Sequence, residues 1–165
     1  MSEIEEKTQD RFVRRIARHL LEDYSNATVF LPDEEKLTVS TLPQKTLRDL
    51  VRTGIARARH QRFTFESSIA VFTTLMFEVA PNFYTNSMCQ VILNDENAEP
   101  NERIDLLVSV LSEKTIETMK GKYDPKAWKL DESEKIVQQA PEIKETPVEV
   151  DKPQNTDFTA TVKIN

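Results

Sequence analysis

The chain is expected to fold as a mainly α protein: a compact bundle of about five to six helices around one central apolar helix, with a short β-hairpin near residues 28–40 and a disordered acidic tail. Three observations predict this. Apolar residues recur at three-and-four spacing through most of the chain up to Leu130. Only two glycines, Gly54 and Gly121, occur in 165 residues, poor material for the tight turns of a β-sandwich or for a glycine-rich phosphate loop. Beyond Leu130 the composition shifts to Glu, Lys, Gln, Val and Thr broken by Pro141, Pro147 and Pro153.

From Thr8, the residues Phe12, Val13, Ile16, Ala17, Leu20, Leu21 and Tyr24 mark one face of an amphipathic helix ending near Asp23, with Arg11, Arg14, Arg15 and Arg18 on the other face. Thr28-Val29-Phe30-Leu31 and Leu37-Thr38-Val39-Ser40 are β-prone runs joined by the polar loop from Pro32 to Lys36, which predicts the hairpin. Two short strands are not stable alone in water, so the hairpin must lie on the helices or pair with another strand. Pro43 opens a second helix carrying Leu47, Leu50, Val51, Ile55 and Ala58 to about His60.

The third helix, from about Phe65 to Ala80, is apolar nearly all round and is expected at the centre of the fold, stopped by Pro81. A shorter helix bears Met88, Val91, Ile92 and Leu93. The next carries Ile104, Leu107, Val108 and Leu111 behind Glu99 and Glu102, and Ser112 caps a last one with Ile116, Met119 and Tyr123, ended by Asp124-Pro125. Trp128 is expected to fold back onto the bundle. Residues 1–130 then form one helical domain. Residues 131–165 form a disordered tail, with eight acidic residues against four lysines, too little apolar surface to offset an ordering cost of roughly 1–2 kcal/mol per residue. Within it the heptad 158–164 alternates Phe158, Ala160, Val162 and Ile164 with polar residues, a candidate strand for the hairpin edge or for a partner's.

One cysteine, Cys89, allows no internal disulfide, and the acidic start Met1-Ser2-Glu3-Ile4-Glu5 lacks the basic and apolar runs of an export signal. The apolar stretch from Ile69 to Ala80 is shorter than the roughly twenty residues of a membrane span. A cytoplasmic location without membrane contact is expected.

No catalytic set, cofactor or metal is expected. Two histidines and one cysteine, far apart in sequence, supply neither a nucleophile-base pair nor zinc-ligand spacing. Cys89, between Met88 and Val91, reads as a buried structural thiol, and the loop from Asn94 to Glu99 as helix capping in place of a calcium loop.

The strongest electrostatic feature is the basic segment Arg48, Arg52, Arg57, Arg59, His60 and Arg62, along and just after the second helix, which joined to the arginines of the first could hold phosphate, nucleic acid or an acidic protein. Residues 1–65 carry 12 Lys and Arg against 10 Asp and Glu, whereas the remainder carries 10 against 18, so the chain as a whole is acidic and a dedicated nucleic-acid binder is not expected. The aromatic cluster around the central helix should leave surplus apolar surface at Met76, Phe77, Phe83 and Tyr84, a candidate partner groove.

The wording Arg57-Ala58-Arg59-His60-Gln61-Arg62-Phe63, then Ile69 through Phe83, then Tyr123-Asp124-Pro125-Lys126-Ala127-Trp128 resembles small helical bacterial proteins encoded beside type VI secretion tip and toxin genes. The resemblance covers about residues 10–128. It implies a non-catalytic partner of a toxin or tip protein, in an immunity, chaperone or accessory role, and carries over no functional residues. The chain is therefore expected to be a protein-binding module and not an enzyme. The alternative is a nucleic-acid or regulatory binder working through the arginine faces.

Overall fold

The computed structural model describes residues 2–138. The heptad 158–164, with everything from residue 139, lies outside the described residues. Within them the architecture is mainly α, seven α-helices and one two-stranded hairpin.

Helix α1 (Glu3–Asp23) starts five residues earlier than the apolar spacing suggests, because Ser2 and Glu5 form a capping box: the Glu5 amide donates to Ser2 Oγ at 3.2 Å and the Ser2 amide to Glu5 Oε2 at 2.7 Å. Its buried stripe is Phe12, Val13, Ile16, Ala17 and Leu20. Strands β1 (Thr28–Phe30) and β2 (Lys36–Thr38) pair antiparallel with Val29 opposite Leu37. Helix α2 (Gln44–His60) follows Pro43, and the chain turns out of it through Arg62, held at φ 74°.

Helix α3 (Glu66–Glu78) is the centre of the molecule, with eight of its thirteen residues buried. Asn101 Oδ1 accepts the amides of Thr64 and Phe65 just ahead of it, both at 3.0 Å. Short helices α4 (Ser87–Leu93), α5 (Arg103–Ser109) and α6 (Glu113–Lys120) add Cys89, Leu93, Ile104, Leu107 and Met119 to the same core; Ser112 caps α6 as expected, and Asn86 caps α4 by accepting the Met88 amide. Phe63, Phe72 and Phe83 stack in sequence with ring centroids 5.7 and 5.0 Å apart. Trp128 does fold back: it is buried, 4.9 Å from the Phe77 ring.

The packed domain runs past residue 130. Helix α7 (Glu132–Gln138) lies along α2, with Asp131 and Glu134 as its capping box: the Glu134 amide donates to Asp131 Oδ1 at 2.9 Å and the Asp131 amide to Glu134 Oε2 at 3.0 Å. The acidic composition of this stretch hides its anchor, because Glu134 is buried as the counter-ion of Arg57.

Candidate interaction surface

The five arginines expected to form one patch are dispersed by their partners. Arg57 is not available to a partner at all. It is 2% exposed, its guanidinium donates to Glu134 and to the carbonyls of Ala127 and Lys129, and it stacks 5.3 Å from the Tyr84 ring. It lies on the same stripe as Leu50 and Gly54, so the helical period turns it inward.

Arg52 bridges Asp49 at 3.0 Å and Asp10 of α1 at 3.3 Å. Arg59 donates to Gln9 Oε1 at 2.8 Å, burial lowers its pKa, and its Nε and Nη1 have no hydrogen-bond partner among the described residues. Only the guanidinium groups of Arg48 and Arg62 in this set make no hydrogen bond or ion pair to a described residue, and of the five Arg62 alone is exposed. On α1, Arg14 is bound to Asp10 at 2.6 Å and Arg15 to Glu66.

The surplus apolar surface is not where the aromatic cluster placed it. Met76, Phe77 and Phe83 are all within the core, at 0%, 1% and 1% exposure, and Tyr84 is half-buried between Phe72 and Phe83. The wrapping of α3 by α4, α5 and the turn at Trp128 uses that face up. Apolar side chains stand in solvent elsewhere: Val71 on α3, Met88 and Val91 on α4, Leu106 and Val108 on α5.

Two of them share one recess. Val71 and Val108 line a groove of about 250 Å³ between α1, α3 and α5, floored by Ala70, Thr74 and Leu75 and closed by His19, Tyr24 and Glu78. Beyond Tyr24 and Glu78 the surface continues into a second depression of about 390 Å³, whose wall includes Asp23, Thr28, Phe30, Lys120 and Tyr123. Tyr24 and Glu78 line both. Burial, then the charges of Glu78 and Asp23, push the Tyr24 phenol above its ordinary pKa.

No family model, curated protein or solved structure matches the chain. Among the described residues no helix is long and apolar enough to cross a membrane.

Cys89, read as a buried structural thiol, is fully buried, and burial pushes its thiol up to about 11, the reverse of what an attacking thiolate needs. His19 is exposed with Nδ1 2.9 Å from Asp23, and His60 is exposed on the far end of α2. Sequence reasoning missed Arg103. It is 2% exposed and donates to the carbonyls of Leu93 and Ala98, which ties down the loop read as capping. Its signal was available: it directly precedes Ile104 at the start of the apolar stripe.

Proposed function

We propose that this chain is a non-enzymatic, cytoplasmic protein-binding module, an immunity, chaperone or accessory partner of a secreted toxin or secretion tip protein, and that it binds through the α1–α3–α5 groove. One observation carries the surface assignment. Val71 of α3 and Val108 of α5 remain 39% and 47% exposed in one concavity, although α3 is otherwise largely buried. Apolar side chains that line a recess and have no cover within the domain gain most when another protein fills it. The class of partner rests on the resemblance of residues 10–128 to proteins encoded beside such toxins, and the location on the single buried cysteine.

The test pairs identification with a groove variant. The full chain is recovered from its source cell, the co-purified protein is identified by mass spectrometry, and binding is rebuilt from the two purified components. Val71→Asp combined with Val108→Asp should weaken that binding at least about tenfold while leaving the helical spectrum unchanged. Equal affinity for the variant and the parent would remove the groove from the function.

A further inference from the structure

The depression next to the groove breaks a rule of helix electrostatics twice. The C-terminal end of a helix carries a partial negative charge and is normally matched by Lys or Arg. Helix α1 ends in Asp23 and α3 ends in Glu78, neither has a basic residue in its last turn, and both ends open on this one cleft. Glu78 makes no hydrogen bond or ion pair to any described residue, and Asp23 holds only His19. Lys120 lines the cleft without pairing to either carboxylate.

The remaining walls also suit a cation. Ala27 accepts the Val39 amide at 3.0 Å and Leu31 donates to Glu35 at 2.9 Å, so the odd positions of β1 face β2. Thr28 and Phe30 therefore turn their backbone groups to the outer edge, on the cleft side. There the Phe30 amide is taken by Tyr123 Oη at 3.1 Å, which leaves the Thr28 and Phe30 carbonyl oxygens, with the Thr28 amide beside them, as the groups of that edge without a described partner. The rings of Tyr24, Phe30 and Tyr123 complete the wall, and Tyr123 is held in place by a second bond, from Trp128 Nε1 at 2.9 Å. At about 390 Å³ the space falls in the range of small-ligand sites, roughly 300–1,000 Å³.

We propose that this cleft receives an arginine side chain of the protein that fills the adjoining groove. A planar guanidinium offers five donors to carboxylate and carbonyl oxygens while its face lies on aromatic rings, a combination an ammonium does not match. The partner segment then carries apolar side chains for Val71 and Val108 and an arginine beside them, across the shared wall of Tyr24 and Glu78. This rests on the groove being the binding surface, yet the cleft can be probed without any partner.

The experiment is an NMR titration of the full chain with N-acetyl-arginine amide, with its neutral isostere N-acetyl-citrulline amide as control. The arginine probe should give saturable shifts clustered on Thr28, Phe30, Glu78 and Tyr123. The citrulline probe should bind at least about tenfold more weakly, and Glu78→Gln or Asp23→Asn should each weaken the arginine probe by about tenfold. Equal response to both probes, shifts scattered elsewhere, or an unchanged response in both variants overturns the proposal. So do saturable shifts at the same residues from calcium chloride at lower concentration, which would make the cleft a metal site. Because Val71→Asp with Val108→Asp leaves the cleft intact, loss of partner binding in that variant and loss of probe binding here report on separate claims.

Discussion

Arg57 reaches 77 residues along the chain to grip Glu134, Nε to Oε1 at 2.6 Å and Nη2 to Oε2 at 3.0 Å, with both side chains inside the protein. Two more guanidinium bonds go to the carbonyls of Ala127 and Lys129. One side chain on α2 thus closes the turn at Trp128 and the helix after it onto the bundle.

Removing one member of such a pair leaves the other charge buried and unmatched. Glu134→Leu should cost about 3 kcal/mol, read as a fall in the urea midpoint followed by Trp128 fluorescence. Glu134→Gln, which keeps hydrogen-bonding capacity, should cost less. An exposed carboxylate of the same helix, Glu132→Gln, should change nothing measurable.

The same pair sets an acid limit. Burial would raise the Glu134 carboxyl, but the bonds from Arg57 and the Asp131 amide, with the Arg57 charge, hold it below its ordinary 4.5. A carboxylate depressed in the folded state adds stability that is fully present above the unfolded value and is lost as pH falls through the folded one. The hold on α7 should therefore be constant down to about pH 4.5 and weaken below it. Amide exchange of residues 132–135 measured across that range should show the change, and Glu134→Gln should flatten it.

Tyr123 Oη accepts two donors that have no other partner among the described residues, the Phe30 amide at 3.1 Å and Trp128 Nε1 at 2.9 Å. Tyr123→Phe keeps the ring contact with Phe30 and strips both bonds, for a loss of about 2 kcal/mol. Trp128 emission should shift as its ring loses the bond, and exchange at Phe30 should accelerate.

Cys89 should resist chemistry in the native state. With the thiol near 11, only about one part in a thousand is ionised at pH 8, and the sulfur is fully covered. Ellman's reagent should react only at the rate of unfolding, then completely in denaturant.

Much of the fold is legible in the residues because burial writes a period into them: Phe12, Val13, Ile16, Ala17 and Leu20 repeat at the helical interval, and α3 is apolar on every side because it is covered on nearly every side. Local capping signals were equally present but were passed over. Ser2 and Glu5, like Asp131 and Glu134, have the three-residue offset of a capping box, and both helices start there. The interaction surface was not legible for a different reason. Which apolar residues stay uncovered depends on how six helices divide the space around α3, so Met76, Phe77 and Phe83 could be told from Val71 and Val108 only after packing. The acidic helix ends at Asp23 and Glu78 did carry a signal, an uncompensated dipole, although nothing in sequence says that they meet.

Gly54 allows α2 to press against α3 so closely that a Cβ there would lie 2.5 Å from Thr73 Cγ2. Thr73 is on the inward side of α3, and Val71, two residues back and nearly half a turn round the helix, is on the groove side. With its back wedged against a neighbour that offers no slack, the ridge presented to an incoming protein is already in its final position. Docking then demands adjustment chiefly from the visitor, and association should be quick and carry a small ordering penalty on this side of the contact.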